Sequence, residues 1–439
     1  MKKPLKLGIA GLGTVGSSTA RIVTTQAKEL TLRAGRPMQL TAVCTRSRTS
    51  NKDRGINLSG YTWFDDPVAL ATSDEIDVFV ELIGGDSGPA YASVLAALKA
   101  GKHVVTANKA LIAAHGTELA LAAEEAGVSL VFEAAVAGGI PIIKALREGM
   151  AGNSVSRVYG IMNGTCNYIL TRMENEGLDF ETCLKQAQEL GYAEADPAFD
   201  IEGNDTAHKL AILTSLAFGT QIESSSIYME GITSITSADI HAADELGYRI
   251  KLLGVSVKTD TGIEQRVHPT MVPKDANIAQ ISGVTNAVVI DGDAVGSIML
   301  SGPGAGGNAT ASAVVADIVD IARDLSLPVF GRPAATLAPY VRSKMRTHAG
   351  GYYIRLSVLD RPGAFAAIAK RMGDEGISLE SIVQKRRISP DDESGNEPGP
   401  VTVMLITHET TEKAIRAALD AINADGHIAA QPQMIRIER

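Results

Sequence analysis

At 439 residues the chain is too long for one ordinary hydrophobic core, and 45% apolar with 21% charged residues marks it as globular, so two or three domains are expected. A net charge of -9 offers no overall attraction to a polyphosphate backbone, no run of ~18 apolar residues offers a membrane span, and three cysteines without CxxC spacing fit a reducing cytoplasm. Nucleic acid and membrane are therefore not expected as partners.

The opening MKKPLKLGIAGLGTVG reads as the start of a strand, because glycines interrupt its short apolar run before any leader-like stretch develops. From there LKLGIA, a helix over 14–30, LTAVC, DVFVELI, a helix over 89–100, HVVTA, a helix over 108–126 and VSLVFEA alternate, which predicts a parallel sheet covered by helices over residues 1–137. Gly11, Gly13 and Gly16 fit GxGxxG between the first strand and helix. The first permits the tight turn, the second lets backbone approach a pyrophosphate, and the third allows close packing. With Thr14 and Val15 they are the expected cofactor contacts. After LTAVC, Thr45, Arg46, Ser47 and Arg48 stand where an acidic residue would grip a ribose 2′-hydroxyl, which favours NADP over NAD with Arg46 on the 2′-phosphate. Solvated loop charge is the competing account, and the spacing from Gly16 exceeds the usual ~20 residues.

Lys109 follows Asn108, a candidate N-cap, and a cation at the positive end of a helix dipole calls for a nearby phosphate or reacting group. In FEAAVAGGIP, Glu133 precedes glycine-rich backbone whose carbonyls suit a small hard cation, with a packed turn as the alternative.

Residues 138–301 predict an α+β domain with a mixed sheet: a helix over 140–149, the strand VSRVYGIM, helices over 164–175, 179–190 and 204–217, then the strands KLLGVSVKT, GIEQRVHPTMV, AVVIDG and AVGSIML. Within it Cys166 is expected to be a packed residue, since no general base can be assigned to it. GYAEADPAFDIEGNDTAHKLAIL is the richest segment. Asp205 and Lys209 lie one helical turn apart, and Ile212, Leu213 and Leu216 share the face of Lys209, so an ammonium held by Asp205 in a part-buried place, able to donate a proton, is expected, with an i,i+4 surface pair as the alternative. His208 belongs to another face, and no HxxH or HExxH supports zinc. Glu194 and Asp200 fit a cationic substrate group and a solvated acidic loop equally well.

SGPGAGGNAT, with Gly302, Gly304, Gly306 and Gly307, precedes a helix over 308–325. As a ligand loop it returns 302–345 to the first domain with Gly307 on the cofactor, and a hinge fits nearly as well. Residues 331–350 read as a connector. Residues 351–439 follow the ferredoxin-like order βαββαβ, with PDDESGNEPGP as a solvated hairpin loop, and are expected to fold separately.

Together, GLGTVG, VVTANKAL, FEAAVAGGIP, MNGTCNYIL, the YAEADP segment and SGPGAGG resemble homoserine dehydrogenases of the monofunctional type almost end to end. The resemblance implies reversible reduction of aspartate 4-semialdehyde to homoserine. It further implies Lys209 as proton donor, Lys109 beside nicotinamide and substrate, Asp205 orienting Lys209, and Glu194 and Asp200 on the substrate. Glu133 with the backbone of Val136, Gly138 and Ile140 would hold a monovalent cation such as sodium. The C-terminal unit, with LDRPGAFAAIAKRMGDEGISLESIVQKR, is similar to an ACT domain, which implies threonine as effector. Asp360, Pro362 and Gly363 supply the usual turn, while Ser378 stands where many ACT domains have Asn. A homodimer or homotetramer is expected. A semialdehyde dehydrogenase working through a cysteine thioester has only Cys166 as candidate, and a vestigial nucleotide-bound sensor is disfavoured by the intact Lys109, Asp205 and Lys209.

Overall fold

The computed structural model describes residues 2–46, 57–343, 349–385 and 400–438. The first region runs β1 (Leu5–Ala10), α1 (Thr14–Thr25), α2 (Ala27–Ala34), β2 (Met38–Cys44), β3 (Thr62–Phe64), α3 (Pro67–Ala71), β4 (Val78–Glu81), α4 (Pro89–Lys99), β5 (His103–Thr106), α5 (Lys109–Ala126) and β6 (Leu130–Val131). All six strands are parallel in the order β3-β2-β1-β4-β5-β6, the doubly wound arrangement in which a dinucleotide crosses the switch point between β1 and β4. Apolar residues of both sheet faces are buried, one under α1 and α2, the other under α3, α4 and α5.

Where one helix over 14–30 was expected, the chain makes two, broken at Gln26. The hydroxyls of Thr24 and Thr25 bond back to the carbonyls of Ala20 and Arg21, a habit that bends helices. The short β3 and α3 carried too little periodicity to be predicted.

The second region begins with α6 (Ile142–Lys144), which widens into a π-helical turn over Ala145–Gly149. It continues with β7 (Val155–Ile161), α7 (Gly164–Glu176), α8 (Phe180–Glu189), α9 (Ala198–Ile201), α10 (Asn204–Phe218), β8 (Tyr228–Met229), α11 (Ser237–Glu245), β9 (Tyr248–Thr259), β10 (Gly262–Pro273), β11 (Thr285–Gly292) and β12 (Gly296–Pro303). The strands β12-β11-β7-β9-β10 pair antiparallel, and β8 adds a parallel contact, so the sheet is mixed. One face carries α10. Gly203 caps that helix at φ +93°, and a Cβ there would meet Val267 of β10 at 2.9 Å.

The chain then returns to the first sheet through α12 (Gly307–Ala322), which packs on α1; a Cβ on Gly307 would stand 2.9 Å from Thr14 Cγ2. The last region comprises β13 (Ala349–Val358), α13 (Ala364–Asp374), β14 (Leu379–Lys385), β15 (Val401–Thr407), β16 (Thr410–Thr411), α14 (Glu412–Ala424) and β17 (Gln433–Ile437), the expected βαββαβ with a two-residue strand added. PDDESGNEPGP lies outside the described residues apart from its final proline.

One difference from the expected separate unit is large. β17 pairs parallel with β10, Thr270 against Arg436 and Met271 against Ile437, so the second and third regions share one 11-stranded sheet. Buried ion pairs line the junction. Arg436 bonds Glu412 and Glu230, Arg266 bonds Glu264 and Glu438, and Arg355 grips Asp239 with Nε and Nη2 while Tyr353 donates to the same carboxylate. The connector also packs back, with Ala338 bridging Thr220 and Arg342 bridging Ile263.

Candidate active site

At the C-terminal end of β1 the glycines form a cradle that side chains would fill. Gly11 has φ +94° and a Cβ there would strike the Leu82 carbonyl at 2.3 Å; a Cβ on Gly16 would lie 1.9 Å from the Gly11 carbonyl. Gly13, which caps α1, has nothing within 4 Å of its Cβ position, leaving open space over the Thr14 and Val15 amides at the helix start. That is the shape a pyrophosphate on a helix N-terminus requires. Gly11 N donates to Cys44 O, which brings the end of β2 beside the cradle and puts the exposed Arg46 at its rim. Arg48 and Ser47 lie outside the described residues.

A cavity of about 580 Å³ opens between this region and the second sheet, lined by Lys109, Gly138, Asn163, Asp200, Asp205, Lys209 and the Gly304–Gly306 loop among others. Asp205 is its electrostatic centre. Its Oδ2 receives Lys209 Nζ at 2.7 Å and Asn163 Nδ2 at 2.9 Å, while Oδ1 pairs with Lys109 Nζ at 3.1 Å. Burial alone would push this carboxyl up, but Lys209 and Lys109, with hydrogen bonds from Lys209 and Asn163, hold it well below the usual range. It stays an anion between two cations. Lys109 leads α5, capped by Asn108 Oδ1 on Leu111 N, so the unfavourable position at the dipole is offset by Asp205.

Lys209 Nζ donates also to the Met162 carbonyl at 2.6 Å. An ammonium has three donors, and these two partners leave one for a ligand. Asp200 is half-buried and its carboxyl is raised, first by burial and then by Asp205, against hydrogen bonds from Asn163 and Thr165. A cationic ligand group would relieve it. Glu194 stands apart: it is exposed, and it is not among the residues lining the cavity.

Glu133 is buried and both its carboxylate oxygens accept amides, Ile143 and Lys144, at the start of α6. Burial first and Asp317 second push it up to about 7, opposed by those amides and Lys144. Each of its carboxylate oxygens keeps a further lone pair, and Glu133, with the carbonyls of Val136, Gly138 and Ile140, offers an all-oxygen set of the kind a hard ion takes. A Cβ on Gly138, at φ +52°, would lie 2.5 Å from the Gly304 carbonyl, so this loop and the SGPGAGG loop touch.

Cys166 is fully buried, donates to the Asp200 carbonyl and has its thiol raised well above the ordinary value by burial, the state of an inert packed thiol. His208 turns to another face, edge-on to Phe199, as expected. Sequence reasoning missed Asn163, which joins Asp200 to Asp205 while its Oδ1 caps α7 on Cys166 N, and missed Thr165 and the Met162 carbonyl. An Asn before Gly-Thr at a helix start is a capping signal, and that signal would have found Asn163.

Comparison with known proteins agrees with this layout. The family model described as homoserine dehydrogenase matches residues 141–319, that of the homoserine dehydrogenase NAD-binding domain matches 11–133, and that of the ACT domain matches 352–427. A homoserine dehydrogenase of Pseudomonas aeruginosa is 45% identical over all of this chain and 99% of its own. The crystal structure of one from Thiobacillus denitrificans superposes with TM-score 0.91 at 43% identity, covering 99% of this chain and 98% of that one. A hyperthermophilic archaeal homoserine dehydrogenase in complex with NADPH superposes at 0.64 with 27% identity, covering 74% of this chain and 99% of that one.

Proposed function

This chain belongs to the homoserine dehydrogenase family, and on that premise we propose that Lys209 is the proton donor in the reversible reduction of aspartate 4-semialdehyde to homoserine. The observation that carries the assignment is Lys209 Nζ, held by Asp205 and Met162 with its third donor left at the cavity. In the reducing direction Nζ gives its proton to the substrate carbonyl oxygen as that carbon gains hydride. In the oxidising direction Nζ takes the hydroxyl proton back. Asp205 keeps Nζ in place and Lys109, on the other carboxylate oxygen, flanks the substrate and nicotinamide.

A nicotinamide cofactor supplies the hydride; Gly11, Gly13, Thr14, Val15 and Gly16 would hold its pyrophosphate, with Gly307 beside them. NADP is the preferred form, supported by Arg46 at the rim of the cradle and by the NADPH named for the archaeal relative. Asp200 in the cavity wall and Glu194 on the exposed stretch outside it would bind the substrate. Glu133 and the backbone carbonyls of Val136, Gly138 and Ile140 would hold a monovalent cation such as sodium. Threonine acts through the ACT domain, the chain works in the cytoplasm as a homodimer or homotetramer, and the domains divide as 1–137 with 302–345, 138–301 and 351–439. Among the described residues, no helix is long and apolar enough to cross a membrane.

Spectrophotometric oxidation of homoserine with NADP and with NAD, in sodium and in a large organic cation, with and without threonine, tests the reading. Turnover is expected, faster with NADP, supported by sodium and depressed by threonine. Absence of homoserine oxidation under every condition would overturn it.

A further inference from the structure

Asn286, at the start of β11, is 1% exposed and lies in the wall of the cavity. The antiparallel register that sets Ala287 opposite Ile161 brings it beside Met162, and its Nδ2 donates to the Met162 carbonyl at 3.0 Å. The same carbonyl receives Lys209 Nζ at 2.6 Å, so both lone pairs are engaged. The orientation of the amide follows from this partner: turned over, its oxygen would face another oxygen. Asn286 Oδ1 is left buried without a hydrogen bond. The amide is also wedged in place, because a Cβ on Gly304 would come within 2.0 Å of Nδ2. The strand continues through buried Ala287, Val288, Val289 and Ile290, so the amide is a polar group at the head of an apolar run. An amide here does what apolar packing cannot, because it holds the carbonyl that also holds Lys209.

We propose that Asn286 is a positioning residue for Lys209, fixing the Met162 carbonyl so that the remaining Nζ–H points into the cavity. Lys209 is held from two directions, by Asp205 within α10 and by a carbonyl at the end of β7. Asn286 immobilises the second anchor. Without it the carbonyl is free to turn with its peptide plane, and the ammonium follows it toward Asp205 and Lys109. Asn286 acts on Lys209 through the carbonyl they share and, on this reading, not on the reacting atoms. The inference rests on Lys209 being the proton donor.

The test is a double-mutant cycle of Asn286→Ala and Lys209→Ala, read by kcat, by NADPH affinity from fluorescence titration and by melting temperature. Asn286→Ala is expected to lower kcat at least about tenfold, since small displacements of a reacting group are costly in rate, while NADPH affinity changes less than about twofold. In the Lys209→Ala background the same change should lower kcat less than about twofold, because the group it positions is gone. Asn286→Ser, which loses less volume, enters the same cycle should the alanine variant not fold. Additive losses in the cycle, a parallel fall of NADPH affinity with kcat, or full kcat in a folded Asn286→Ala would each overturn the inference while leaving Lys209 in its role. Undiminished turnover of Lys209→Ala alone would remove that role, and this inference with it.

Discussion

Two cations on one carboxylate is the residue-scale fact from which the chemistry follows. Lys209→Ala removes the proposed proton donor, so kcat should fall by about 100- to 10,000-fold, the usual weight of a general acid, while NADPH affinity is kept. Turnover equal to that of the parent would remove Lys209 from the mechanism. The pair itself was legible in the sequence, because Asp205 and Lys209 are four apart on a helix and nothing distant is needed to bring them together. Its setting was not. Asn163 lies 42 residues from Asp205 and the Met162 carbonyl 47 from Lys209, and each contact exists only once α10 has docked against β7. The arginine reading is a residue-scale matter too. Arg46→Ala should raise the KM for NADP strongly and that for NAD little, because a guanidinium grips a 2′-phosphate that only one cofactor carries. An equal rise for both would make Arg46 a steering charge.

The strand and helix order was legible at the scale of elements, because periodicity and glycine punctuation are local. The joins between elements were not, and the clearest case holds α6 to α12. Lys144 pairs with Asp317 at 3.2 Å and with Asp320, and Asp317 Oδ2 receives the Glu133 amide. Asp317 is buried and its carboxyl is raised by burial, with Lys144 as the first opposing influence. Lys144→Met would strand that carboxyl, at a cost of about 3–5 kcal/mol near neutral pH. The sign with pH follows from the raised value. A folded state that binds this proton more readily than the unfolded chain gains relative stability as pH falls, so the deficit of the variant should be largest at neutral and alkaline pH and shrink toward pH ~5. Denaturant unfolding at both ends of that window measures it. A deficit independent of pH would assign the loss to packing of the lysine stem instead.

For the whole molecule the question is whether the ACT domain is an appendage or a structural part, and local patterns reach only half of it. A glycine-bounded connector and a complete βαββαβ order predict a unit that can be removed near Gly350. The shared sheet argues otherwise, since the register between β10 and β17 sets Thr270 against Arg436 and Met271 against Ile437, pairings far apart in the chain that no local pattern reveals. Cutting at Gly350 would bare part of the β10 edge and leave Asp239 without Arg355 and Tyr353, Arg266 without Glu438, and Glu230 without Arg436. Asp239 and Arg266 are almost fully buried, and a buried charge that loses its partner is strongly destabilising. The truncated chain is therefore expected to melt well below the full-length protein and to associate through the bared edge, as size-exclusion chromatography with light scattering would register. Loss of the proposed threonine response in such a protein would say little about where an effector binds. The exposed Asp360, in the turn after β13, offers the cleaner test, because Asp360→Ala leaves the junction intact. It should keep the parental melting temperature and basal kcat while threonine inhibition weakens, as expected when an effector loses its preference for one of two states without any change to the chemistry. A truncated protein that stays monodisperse at the parental melting temperature would show that β17 adds no stability to β10. Unaltered threonine inhibition in Asp360→Ala would move the effector site away from that turn.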